Sequence, residues 1–167
     1  MNAVHWHLML NHFPIIGIII STALLLWGIG VKQNNLKAIA SVLTVVFAII
    51  AIVVFKTGEP AEEVVEKLPG VTEAAIELHE EAAELAMWAI AVSGIAAFIS
   101  LVLHFTQRPQ AVLLYILTAL LGLFSTFALV RTGYYGGQIR HTEIASAATS
   151  PAGNQATSAE TTEEDDD

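Results

Sequence analysis

A chain of 167 residues that is 54% hydrophobic and only 14% charged, with mean hydropathy +0.62 and formal net charge −9, is not an average soluble domain. With no cysteine it has no disulfide, thiolate metal site or cysteine nucleophile. It also lacks a basic patch for nucleic acid and a phosphate-binding glycine loop.

Four apolar segments, about 13–31, 38–55, 85–103 and 111–130, contain no Asp, Glu, Lys or Arg. Each approaches the ~20 residues that cross a ~30 Å hydrocarbon layer as a helix. Their residues are apolar on every face, so the surrounding solvent is lipid. The sequence therefore predicts an all-α, polytopic membrane four-helix bundle over residues 1–143, in a cell inner (cytoplasmic) membrane. Residues 144–167, rich in Ala, Ser and Thr and ending Glu-Glu-Asp-Asp-Asp, are expected to be a disordered acidic tail.

Residues 2–12 hold His5, Trp6, His7 and His12 and read as an interfacial turn or short helix. Asn11 can cap the first span, with Pro14 in its first turn; alternatively the helix starts near Ala3 and kinks at Pro14. No Lys or Arg precedes Lys32, so the first segment is expected to be a retained anchor. After the second span, Thr57-Gly58 breaks the helix and Pro60 starts a short extramembrane one within the 56–84 connection. Thr72 is expected to cap a third helix that runs unbroken into the bilayer. The fourth is expected to end near Gly133. Small residues recur at four-residue spacing (Gly17 and Ser21; Ala40, Thr44 and Ala48; Ser93 and Ala97; Thr118, Gly122 and Thr126), which allows close helix approach.

Charge sets the expected topology. The short loops hold Lys32, Lys37 and Arg108 and no acid, whereas all 16 acids lie on the side of the termini and the 56–84 connection. Basic short loops stay cytoplasmic, so both termini are expected outside. That places His5, His7, His12, His79 and His141 together at the outer end, with Glu59, Glu62, Glu63 and Glu66, and leaves only His104 inside.

At 100° per residue, His79 shares a face with Ala75, Ala82, Ala83 and Ala86, while the acids of its helix lie roughly 100–200° away. A carboxylate partner for His79 should therefore come from the 59–66 segment. His12 clusters with His5, Met9 and Ile16 if the helix extends that far. The candidate ligands are His12, His79 and His141, with Glu59 and Glu62 as further or orienting ligands. Imidazoles suit zinc, copper or iron, and two on adjacent helices can clamp a b-type haem.

His12-Phe13-Pro14, Thr57-Gly58, His79 and Gly133…Gly136-Gly137…His141, in this order against the spans, resemble a bacterial group of four-span membrane proteins known as domain of unknown function 2231. The resemblance covers about residues 5–143. It implies the four-helix fold and a haem or metal role for the histidines.

The expected function is electron transfer, or an accessory role in a larger membrane redox complex or homo-oligomer. The alternative is a cofactor-free structural subunit. No nucleophile or acid–base pair stands out, so independent catalysis is the least supported class, and no ionisable residue lies at mid-membrane to suggest a transport path.

Overall fold

The computed structural model describes residues 3–140, with side chains from 4 to 139. The expected tail, 144–167, and His141 lie outside the described residues. Among the described residues six helices follow one another: α1 (Ala3–Leu10), α2 (His12–Gly30), α3 (Asn34–Lys56), α4 (Gly58–Val65), α5 (Glu73–Phe105) and α6 (Ala111–Arg140). Four helical stretches among the described residues are long and apolar enough to cross a membrane, as the apolar segments predict.

The interruptions in the first two stretches sit close to prolines, which supply no N–H to the carbonyl four residues earlier. Pro14 leaves the Leu10 carbonyl without a helical partner, and the chain is irregular at Asn11. Asn11 nevertheless keeps helical dihedrals (φ −61°, ψ −27°), and its N–H donates to the His7 carbonyl at 2.9 Å. Side-chain phase therefore carries through from α1 into α2. Pro60 stands in the same relation to Lys56, and α3 gives way to α4 at Thr57. Thr72 caps α5 as expected, its Oγ1 accepting from the Ala75 N–H at 3.4 Å.

Both short connections close their helices in the same way. Lys32 and Gln107 each adopt φ +56°. The N–H of Gln33 donates to Gly28 and that of Arg108 to Leu103, while Lys32 and Gln107 donate to Ile29 and His104. This is the Schellman arrangement, with a non-glycine residue in its left-handed position.

The spans pack in a ring: α2 against α3, α3 against α5, α5 against α6, and α6 back against α2, with the diagonal pairs scarcely touching. Small residues line the interior. A Cβ at Gly17 would collide with Phe47, one at Gly122 with Thr22, and one at Gly94 would lie 2.7 Å from the Ala48 Cβ. Ser93 and Ser125 pair their hydroxyls across α5 and α6 at 2.9 Å. Ser41 and Ser100 do so across α3 and α5 at 3.4 Å. Large apolar side chains such as Ile20, Ile49, Ile95, Phe98, Leu120 and Phe127 face outward. Association in lipid draws on close packing and interhelical hydrogen bonds, because lipid tails are as apolar as the side chains. The predicted stripes are buried, except Thr126, which is half-buried.

At the loop end, Lys37 is buried with its Nζ 5.4 Å from the centre of the Tyr115 ring. The Tyr115 hydroxyl is buried without a hydrogen-bond partner among the described residues.

The structure differs from expectation at α6, which continues through Gly133, Gly136 and Gly137 to Arg140 instead of ending near Gly133. Glycine costs about 1 kcal/mol in a helix interior. Here α6 packs along α5, and at Gly136 the missing side chain leaves room for the His79 ring, which an added Cβ would meet at 3.0 Å.

Candidate functional site

The buried face of α2 comprises Pro14, Gly17, Ile18, Ser21, Thr22, Leu25 and Gly28. Followed back by steps of three and four, this face passes through Asn11 to His7. Continuous phase thus turns His7 towards the bundle and His5 and His12 away from it. His79 lies on the inward side of α5 one turn beyond buried Ile76 and before buried Ala82. Both His7 and His79 lie beyond the apolar spans and are half-buried.

Each ring is held through Nδ1. His79 Nδ1 is 3.0 Å from the Thr132 carbonyl of α6. A carbonyl only accepts, so this nitrogen carries the proton. His7 Nδ1 is 3.0 Å from Thr57 Oγ1. The Thr57 hydroxyl donates its only hydrogen to the Val54 carbonyl at 2.6 Å. Its oxygen therefore accepts, and His7 Nδ1 also carries the proton. In the neutral rings both lone pairs reside on Nε2.

Glycines edge the two rings. A Cβ at Gly136 would lie 3.0 Å from His79 Cε1, and one at Gly58 would lie 3.9 Å from His7 Cε1. Burial pushes both imidazoles below their ordinary value of 6.5. For His7, the nearby charge of His79 lowers it further, against a hydrogen bond to Val54 that raises it; for His79, the Thr132 carbonyl opposes the shift. Both rings are thus neutral, ligand-competent bases at neutral pH.

The other expected ligands fall elsewhere. His12 does share a face with His5, Met9 and Ile16, but all four are exposed on the outside of the bundle. His12 borders a shallow apolar cleft of about 230 Å³ with Phe13, Ile16, Gly17, Ile20 and Phe47. Glu59 is exposed on α4. The Glu62 carboxyl hydrogen-bonds that of Glu80, which raises its pKa, with partial desolvation and the Glu80 charge acting in the same direction. His79 therefore takes its orienting partner from the backbone of α6, not from a carboxylate of the 59–66 segment. Among the described residues, no three His, Asp or Glu side chains gather as a metal-binding group.

The sequence alone does not show the inward phase of His7, nor the anchoring of His7 by Thr57 and of His79 by the Thr132 carbonyl. The usable signal was the small-residue seam of α2, whose phase extended back past Pro14 selects His7. No known protein family, curated protein or solved structure matches the chain.

Proposed function

We propose that this multi-pass membrane protein carries a transition-metal centre at the end of the bundle opposite the short loops, with His7 and His79 as its ligands. The reading rests on one observation: both half-buried imidazoles hold their proton on Nδ1, against a backbone carbonyl or a backbone-anchored hydroxyl, and present Nε2 as a neutral base. Metal-ligating histidines are characteristically oriented in this way by an acceptor on the second nitrogen.

The residues fit either a bare ion or the iron of a b-type haem. Iron or copper, when bound, would supply one-electron transfer to or from a membrane redox partner. The chain's own contribution is to hold the two rings in one tautomer, keep them uncharged and shield them from water. The resemblance to domain of unknown function 2231 supports a metal or haem role. The basic loops Lys32–Lys37 and Arg108 support an orientation with this site outside the cytoplasm.

The test is an absorption spectrum of detergent-purified protein, oxidised and dithionite-reduced, with elemental analysis of the same sample. A Soret band with sharp reduced bands, or stoichiometric iron, copper or zinc, is expected, and His79→Ala should remove it. Unchanged metal content in that variant would sink the assignment. A cysteine placed in the 32–37 loop and probed with an impermeant reagent on intact cells reads the orientation.

The lack of a third His, Asp or Glu at the site among the described residues favours one alternative, a cofactor-free structural subunit. It predicts a colourless, metal-free protein from gently solubilised native membrane.

A further inference from the structure

We propose that the loop end of the bundle binds a phosphate group, with the Lys37 ammonium as its anchoring donor and the Tyr115 ring holding that ammonium in place. The site lies at the end opposite His7 and His79, and it does not depend on the metal reading.

Lys37 stands in the first turn of α3, yet only 6% of it is exposed. Two other helices enclose its side chain. On α2, a Cβ at Gly28 would lie 3.0 Å from Lys37 Cγ, so the stem runs against the last turn of that helix. On α6, the fully buried Tyr115 ring lies 5.4 Å from Nζ, and the His104 ring of α5 meets Tyr115 edge-on at 6.1 Å. Lys37 thus spans the α3–α6 diagonal, which the helices themselves scarcely bridge.

Among the described residues the ammonium has no hydrogen bond and no ion pair; the one ion pair joins Lys67 and Glu66. Every Asp and Glu of these residues falls within 59–84, roughly a span length away at the other end of the bundle. The unpartnered polar atoms that are fully covered are Asn11 Oδ1, the Tyr115 hydroxyl and Thr126 Oγ1. The Lys37 ammonium is not one of them, so it is the tip through which this side chain meets its surroundings.

A charge this deeply enclosed is costly unless it is paired. Position adds to the cost, because the start of a helix is its positive end and favours anions. Neither α3 nor α6 has an acid in its first turn, and Gln33 gives α3 no side-chain cap. The face of Tyr115 offsets part of the charge, and an anion would offset the rest. Lys37 directly precedes the apolar run 38–55, which sets it at the depth of lipid headgroups. Lysine binds phosphate as a point charge. With no carboxylate at this end to pair a choline or ethanolamine, a net anionic headgroup fits best; inorganic phosphate from the aqueous side offers the same chemistry. The exposed Lys32 and Arg108 raise the local concentration of either.

The experiment uses the full chain in detergent, delipidated and then titrated at physiological ionic strength. The probes are palmitoyl-oleoyl phosphatidylglycerol, its phosphatidylcholine counterpart and inorganic phosphate. Native mass spectrometry counts retained lipid, and thermal unfolding reads stabilisation. Phosphatidylglycerol should be retained in preference to phosphatidylcholine. Its affinity should fall about tenfold or more in Lys37→Met, which keeps the stem and removes the charge. Lys37→Arg should recover it, and Lys32→Met should change it only a few-fold. Stabilisation by inorganic phosphate that is lost in Lys37→Met, with no preference between the lipids, would assign the same site to free phosphate. Wild-type lipid and phosphate responses in Lys37→Met would overturn the proposal. So would equal losses in Lys37→Met and Lys32→Met, which would leave only a diffuse basic surface. A wild-type chain showing neither lipid preference nor phosphate stabilisation would overturn it without any variant.

Discussion

Gly136 and His79 are matched: a methyl group at position 136 would sit 3.0 Å from Cε1 and 3.1 Å from Nδ1 of the imidazole, the atom that donates to Thr132. The next residue, Gly137, has open space where its Cβ would be. The pair separates helix propensity from site geometry. Gly137→Ala should stabilise the protein by about 0.5–1 kcal/mol through propensity and leave metal affinity unchanged. Gly136→Ala has the same propensity gain but must displace the His79 ring, so metal affinity should fall. Denaturant titration in micelles and calorimetry on both variants check this, and equal affinities would show that position 136 does not shape the site.

The two imidazoles also predict an acid sensitivity of the metal-free protein. Burial lowers both folded pKa values below 6.5. As pH falls past about 6.5 the unfolded chain takes up protons first. Stability is therefore complete above that value and is lost as pH drops through the lowered folded values. Ring-proton titrations by NMR should give midpoints below 6.5 for His7 and His79. His7→Gln with His79→Gln should reduce the stability difference between about pH 7.5 and about pH 5.5. Midpoints at or above 6.5 for both rings would contradict their burial.

Much of the fold was legible because lipid imposes simple rules. Runs such as 38–55 and 111–130 have one reading, and the Gly17–Ser21 and Ser93–Ala97 stripes marked the inner faces. The site was legible only in part. His79 was chosen correctly as inward-facing, from the alanines on its face. His12 was preferred to His7 because the start of α2 was referenced to its exposed stripe, His5, Met9, His12 and Ile16, instead of its buried one. The anchors could not be read at all, since the Val54 and Thr132 carbonyls become partners only through packing. Gly133 reads as a stop signal in the sequence, but α6 runs on through it, and of the glycines that follow Gly136 makes room for the His79 ring.

At the loop end, Tyr115 supplies a third prediction. Its hydroxyl is buried with no partner among the described residues, and an unsatisfied buried polar group costs about 1–3 kcal/mol. Tyr115→Phe retains the ring beneath Lys37 and removes the orphan, so it should be neutral or stabilising by about 1 kcal/mol. A loss of more than about 1 kcal/mol in denaturant titration would instead show that the hydroxyl is bonded, for example to a trapped water.

Gln107 supplies a fourth. Its φ of +56° puts a side chain in the left-handed region, at a cost of about 1–2 kcal/mol relative to a right-handed conformation. Glycine avoids this cost but loses about 0.5–1 kcal/mol more backbone freedom on folding. Gln107→Gly should therefore be stabilising by about 0.5 kcal/mol, despite losing the exposed bond from Gln107 Nε2 to the His104 carbonyl. Denaturant titration against wild type reads the sign.

His7 and the groups that hold it, Val54 and Thr57, belong to the first hairpin of the chain, residues 3–65; His79, Thr132 and Gly136 belong to the second, residues 73–140. Each half thus carries one preset ring, and neither ring depends on the other half for its own orientation. Anything that joins the two Nε2 atoms is a cross-link between halves otherwise held by small-residue contacts and the Ser41–Ser100 hydroxyl pair, and it closes about 70 residues of chain into a loop. With the proposed metal bound, occupancy would be coupled to how tightly the hairpins embrace: a partner that wedges them apart would expel the ion, and a partner that clamps them together would retain it.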